Sequence, residues 1–288
     1  MIVAENTCDS KKKTYELLGD YVPIYVLDLP QKPDSSVAVE YFLEELNKFK
    51  GVMEQLTGNK ITAGQLKNEI ISANETRKLL HRLYDLRKTN PPVISGLDVI
   101  KVMQKQYILS AEDFKKALLT LIDEAETVKA DKADKADKAS FTRRPRIMIS
   151  GCPMPGGNTK VPEIIENRGG IIVVEESCTG TRSFWDLVDE NKDPMTALAE
   201  RYLKIPCSCM TPNDKRIESI LELVKEFKVD GVVHYTLQFC HGYNIEKYKV
   251  QQALKKAGIP MHSIETDYSD SDIEQIGLRV DAFMEMLS

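Results

Sequence analysis

The 288-residue chain is 42% hydrophobic and 29% charged, with a formal net charge of −5. This is an ordinary globular composition with length for about two domains. It carries no basic footprint for nucleic acid, and no apolar run reaches the ~20 residues a membrane span needs, so neither partner is expected. The opening MIVAENTCDSKKK lacks the basic-then-apolar layout of a signal peptide, which makes the cytoplasm the expected location. In such a reducing compartment, six cysteines point to metal or redox chemistry more than to disulfides.

Residues 1–4 read as the end of a strand, 11–18 as a helix with Asp9 or Ser10 as its N-cap, and 23–29 as a second strand. Cys8 falls past a strand and ahead of a helix, beside three lysines. A thiolate is favoured there, although a small buried residue beside a solvated lysine face fits the same letters. Two strands do not make a domain, so residues 1–34 read as the remnant of an N-terminal α/β domain.

Residues 35–128 read as a helical section. Phe42, Leu46, Phe49, Met53 and Leu56 recur at helical spacing, and such a stripe is core. Gly58-Asn59 stops that helix, Thr62 caps the next, and Leu79, Leu83 and Leu86 continue the pattern to Asn90-Pro91-Pro92. Phe114, Leu118 and Leu121 supply a further face, and His81 reads as a helix-surface histidine. Residues 129–144 form a KAD-rich linker that can bury nothing. The arginines that close it, Arg143, Arg144 and Arg146, read as a solvated junction more readily than as a phosphate clamp.

Residues 145–288 read as a C-terminal α/β domain. Apolar strands at 146–150 and 170–175, parted by a helix-length segment, are followed by helices at 194–204 and 216–227, a strand at 229–237, a helix at 246–257, a strand at 259–264 and a helix at 273–286. That βαβαβαβα order argues for a parallel sheet of the doubly wound, Rossmann or flavodoxin kind. The fold class is therefore α/β: two parallel-sheet halves, the first incomplete, joined by a helical section. There is no G-x-G-x-x-G after the first strand and no P-loop.

The cysteines are the chemistry. Cys152, Cys178 and Cys240 each follow a strand, where an open sheet places its ligand. Cys207 and Cys209 lie on a loop between helices, and Cys8 follows a strand of the first half. Every one sits beside a turn residue and none lies mid-helix, although cysteines that merely fill a core lie inside elements. Structural zinc prefers close C-x2–4-C pairs, and the nearest approach is Cys207-Ser208-Cys209. A dithiol redox centre wants C-x-x-C, which is absent. Iron–sulfur clusters accept thiolates from scattered loops and gain from backbone N–H groups. Iron–sulfur leads, with zinc–thiolate as the competing metal reading. Weaker catalytic candidates near the thiols are His241, Glu175 and Arg182, while His234 and His262 read as core and Trp185 as a packing residue.

The segments ENTCDSKKK (5–13), DLPQ (28–31), TGNKIT (57–62), PPVISGLD (91–98), ISGCPM (149–154), EESCTGTR (175–182), PCSCMTPND (206–214) and QFCHGYNIE (238–246) together resemble the 2-hydroxyacyl-CoA dehydratase and benzoyl-CoA reductase family. The extra cysteines most resemble its double-cubane cluster branch. The resemblance covers essentially the whole chain. It implies an oxygen-sensitive protein that receives single low-potential electrons from an ATP-hydrolysing iron–sulfur activator. It also implies a homodimer, or a heterodimer with a related subunit, acting on a small molecule or an acyl-CoA. In dehydratases of the family the matching cluster cysteines are Cys8 and Cys240, and the electron goes to a thioester carbonyl, giving a ketyl radical. For a [4Fe-4S] or double-cubane centre, Cys152, Cys178, Cys207 and Cys209 are the candidates for the further thiolates. Family members carry an α/β segment ahead of the ENTC motif, so a truncated, non-catalytic iron–sulfur or scaffold subunit is the alternative expectation.

Overall fold

The computed structural model describes residues 1–134 and 144–288. Chain order is β1 (Ile2–Glu5), α1 (Asp9–Leu18), β2 (Ile24–Leu27), α2 (Ala38–Thr57), α3 (Ala63–Asp85), a 3-10 turn at Leu86–Lys88, α4 (Gly96–Lys105), α5 (Ala111–Asp134), β3 (Arg146–Gly151), α6 (Lys160–Asn167), β4 (Ile171–Glu176), α7 (Thr181–Phe184), α8 (Pro194–Leu203), α9 (Asp214–Glu226), β5 (Gly231–Leu237), α10 (His241–Lys256), β6 (Met261–Thr266) and α11 (Ile273–Leu287). Strands pair in parallel, in a two-stranded sheet β1-β2 and a four-stranded sheet ordered β4-β3-β5-β6. The chain is mixed α/β with two parallel-sheet halves, as its alternating apolar runs lead one to expect. Of the KAD-rich linker, residues 129–134 continue α5 and the stretch from 135 to 143 lies outside the described residues.

Two compact units share the chain. The first comprises residues 1–75 and 186–214, the second 76–185 and 215–288. In the second, apolar side chains cover both faces of the four-stranded sheet, which is why its strands are continuous apolar runs rather than alternating ones. Met148, Val174 and Val232 bury against Leu83, Leu118, Ile122, Phe227 and Leu254 on one face. On the other, Ile147, Ile149, Val233 and Ile264 bury against Ile165, Val280 and Phe283. Each such side chain contributes about 1.5–3 kcal/mol. From β3 the chain steps to β4 at one edge, then crosses back to β5 on the far side of β3. The point where strand order reverses therefore lies between the carboxyl ends of β3 and β5, the ligand-binding position of such sheets.

In the first unit, α2 packs on α8 through Ala38, Phe42, Ala199 and Leu203, and Ile70 meets Val188 and Ala197. Helix α2 stops at Gly58, whose φ of +71° suits a glycine C-cap. Thr62 and Gln65 then exchange bonds as a capping box for α3.

Several expectations need correction. The apolar stripe of α2 is core only in its first half, since Leu56 is 60% exposed. The N-cap of α1 is Cys8, in an extended conformation with no side-chain capping bond, rather than Asp9 or Ser10. Helix α10 starts at 241 rather than 246, because Gly242 is tolerated in a first turn whose N–H groups have no helical partners anyway. His81 is not a surface histidine: it lies edge-on to Phe184, and its Nε2 is 3.1 Å from the Trp185 carbonyl oxygen. Nor do the junction arginines all stay solvated. Arg146 is buried and donates to the carbonyls of Arg87, Thr89 and Phe227, and Arg144 donates to the Gly169 carbonyl. The fork of five donors satisfies backbone oxygens at the strand start that would otherwise be buried without a partner. Arg143 lies outside the described residues.

Gly151 ends β3 with φ +133°, and a Cβ there would sit 2.0 Å from the Tyr235 carbonyl oxygen. Only glycine lets β3 lie this close to β5 while turning into Cys152. Gly151→Ala is expected to cost at least about 2 kcal/mol from strain and overlap, read as a lower urea midpoint. An unchanged midpoint would show that the close approach does not constrain the strand end.

Candidate functional site

Three thiols of the second unit lie beyond the carboxyl ends of neighbouring strands. Cys152 follows β3, Cys178 follows β4, and Cys240 follows β5 as the N-cap of α10. Cys152 is buried, its N–H donates to the Tyr235 carbonyl at 3.0 Å, and its Sγ accepts from the Leu237 N–H at 3.4 Å. A hydrogen bond with Cys240 and then burial push the Cys152 thiol well above the ordinary cysteine range. The turn that delivers Cys240 is tight: its N–H donates to the Leu237 carbonyl, and Phe239 adopts φ +67°, a costly conformation for an aromatic residue. The loops after β3 and β4 are tied together where the Met154 N–H donates to Thr179 Oγ1 at 2.8 Å.

Beneath these loops runs a buried polar layer. Glu176, fully buried at the end of β4, accepts from Arg182 Nε at 2.6 Å, from Arg216 Nη2 at 3.2 Å and from Ser150 Oγ at 2.6 Å. Burial alone would raise the Glu176 carboxyl, but the two guanidiniums hold it below its usual range. Arg182 also donates to the Gly151 and Glu176 carbonyls at 3.0 and 2.9 Å, to the Tyr243 hydroxyl, and to Cys178 Sγ at 3.5 Å. Arg216 is joined to Glu246, and both guanidiniums lie near the Tyr243 ring, 5.1 and 4.8 Å from its centre.

The weaker candidates separate. Arg182 is at the site. Glu175, one residue away but on the opposite side of the strand, is buried in an ion pair with Arg87 and accepts from Tyr84 at 2.6 Å. His241 is exposed at the start of α10. Arg216, Tyr243, Glu246 and Ser150 were not singled out from the sequence. A signal existed for the first two: Arg216 shares the face of Ile220 and Leu223, and Tyr243 that of Val250 and Leu254, so helical periodicity alone puts both inside.

The first unit holds the other three thiols. Cys8 is exposed at the start of α1. Cys207 and Cys209 are half-buried in the loop after α8, where the Met210 N–H and Asn213 Nδ2 both donate to the Cys207 carbonyl at 3.0 Å. Among the described residues, no three His, Cys, Asp or Glu side chains close on one point as a metal-holding group. The donor set nonetheless suits iron–sulfur chemistry in kind. Thiols of adjacent strand ends meet N–H donors at the sulfur, from Leu237 and from Arg182, and such donors stabilise cluster sulfurs.

The family model for the 2-hydroxyglutaryl-CoA dehydratase D-component matches residues 1–287, so the chain belongs to this family. It is 37% identical, over its full length and 74% of the relative's, to "Putative dehydratase subunit YjiM" of Escherichia coli K12. It is 25% identical to the beta subunit of (R)-phenyllactyl-CoA dehydratase from Clostridium sporogenes, over 98% of this chain and 74% of that one. It is 26% identical to a subunit of benzoyl-CoA reductase from Thauera aromatica, over 93% of this chain and 68% of that one. Among the described residues no helix is long and apolar enough to cross a membrane.

His234, on β5 beside Ser150, is fully buried, with its Nδ1 3.3 Å from Thr236 Oγ1. Burial, with Arg216 adding to it, pushes its imidazole down to about 3. Between that value and the unfolded value of ~6.5, the unfolded chain binds the extra proton, so stability falls as pH drops through this window. The low Glu176 value adds loss only below ~4.3. His234→Asn is expected to flatten unfolding free energy against pH between ~6.5 and ~4.5, as measured by urea titrations at several pH values. An unaltered slope would remove His234 as its source.

Proposed function

We propose that this chain is the iron–sulfur component of a system driven by an ATP-hydrolysing iron–sulfur activator. The activator delivers single low-potential electrons, used for reduction of a small molecule with a multiple bond or for dehydration of a 2-hydroxyacyl-CoA. The observation that carries the reading is that Cys152 and Cys240 pack together around Leu237 at the point where strand order reverses, in a chain that belongs to this family over its whole length. A related subunit, or a second copy, as partner is supported by relatives that bear beta-subunit names.

A bound cluster supplies a one-electron donor and acceptor. The chain's own residues do the rest. Cys152, Cys178 and Cys240 supply thiolates in this reading, and Cys8, Cys207 and Cys209 are proposed as further donors of the six-cysteine set. Gly151 and the turn at Phe239 fix where two of the sulfurs lie, and Leu237 N–H and Arg182 donate to sulfur. Zinc would use the same thiols without labile sulfide, so inorganic sulfide separates the two metals.

The test is anaerobic purification followed by iron, zinc and acid-labile sulfide assays, with turnover measured on acetylene and on a 2-hydroxyacyl-CoA in the presence of activator and ATP. Iron and sulfide in equal amounts are expected, with loss of more than about half of both in Cys152→Ser and Cys240→Ser. Single serine variants at Cys8, Cys178, Cys207 and Cys209 identify the remaining ligands. Zinc without sulfide would contradict the reading.

A further inference from the structure

Two guanidiniums share one fully buried carboxylate, Glu176. Arg216 finds a second carboxylate in Glu246. Arg182 finds none: its remaining bonds go to two backbone carbonyls, a phenol and a sulfur. All five of its N–H groups are used: Nη1 gives one to Cys178 Sγ and one to the Tyr243 hydroxyl, which itself lies 3.9 Å from that sulfur. Two guanidiniums and two carboxylates balance across the layer, and Arg182 is the member whose cation touches a candidate ligand sulfur. Arg182 is itself almost wholly buried, so solvent screens that charge little. It also spans the ends of two strands, through the Gly151 and Glu176 carbonyls, so it cannot follow the sulfur if the Cys178 loop shifts.

We propose that Arg182 is a positioning residue that fixes the Cys178 sulfur and raises the reduction potential of the centre this sulfur ligates, with the Tyr243 hydroxyl held between the guanidinium and that sulfur. This rests on the iron–sulfur reading above and adds the residues that tune it. The sign follows from electrostatics. Reduction adds negative charge, which a nearby buried cation and an N–H donated to sulfur both favour. Removing them moves the potential downward. Removing the Tyr243 hydroxyl takes a neutral O–H from beside the same sulfur and leaves the guanidinium in place, so it moves the potential downward by less.

The experiment is an EPR-monitored redox titration of anaerobically purified wild-type chain, Arg182→Gln, Arg182→Lys and Tyr243→Phe, with iron and sulfide content measured on the same samples. A more negative midpoint is expected in Arg182→Gln, and smaller negative shifts in Arg182→Lys and Tyr243→Phe. A purely structural arginine would leave the midpoint of cluster-loaded variants where it is in the wild type. If Arg182→Gln fails to fold, Arg182→Lys and Tyr243→Phe still decide the question. Loaded Arg182 variants with unmoved or raised midpoints, or a shift in Tyr243→Phe larger than that in Arg182→Gln, overturn the assignment of Arg182 alone. A wild-type chain without iron and labile sulfide removes the reading beneath it as well.

Discussion

The ion pairing of Glu176 with Arg182 and Arg216, out of reach of water, is the constraint on which the site's arrangement depends. Each of those charges is costly to bury, and removing one partner of such a set commonly costs about 3–5 kcal/mol because the others are left uncompensated. The layer therefore has one low-energy arrangement. In it, Arg182 ties the ends of β3 and β4 through their carbonyls, and Arg216 reaches from α9 to Ser150 at 3.2 Å. An all-apolar layer would hold the strands as firmly. It would not hold a cation against a thiol.

Above this layer, the topology concentrates sulfur. Placing β3 between β4 and β5 sends three successive strand-end loops to one edge of the sheet, and each begins with or soon reaches a cysteine. The backbone around them is unusual in two places: the left-handed Phe239 ahead of Cys240, and Gly151 packed onto the Tyr235 carbonyl ahead of Cys152. Strain of this sort persists only where the surroundings enforce it, and it gathers at functional sites. Here it flanks two thiols that pack together around Leu237.

Much of this was legible in the letters. The four apolar runs from 146 to 264 gave the strands of the larger sheet to within about two residues, because strands covered on both faces leave little room for polar residues. Cysteine positions next to Gly, Pro and Asn placed all six thiols outside regular elements. What failed to read was charge. Arginine in a helix scores as surface, yet Arg216 lies on the buried stripe of α9, and Arg146 opens a strand with its guanidinium turned onto carbonyls. Partners such as Glu176 for Arg216 lie 40 residues away in sequence, and no local pattern announces a pairing at that separation. Glu175 and Glu176 show the complementary limit. Adjacent on one strand, they point to opposite faces, and only the sheet's surroundings decide that the second, rather than the first, serves the thiols.

Family membership and strand-edge sulfur chemistry converge on one claim, that these thiolates hold iron together with inorganic sulfide. Its most direct test is iron K-edge X-ray absorption on chain purified under strict anaerobiosis. The expected spectrum has sulfur as the iron's nearest neighbours and a second, iron–iron distance from a cluster. An iron environment of oxygen and nitrogen alone, or a sample that carries zinc and no iron, would contradict the claim.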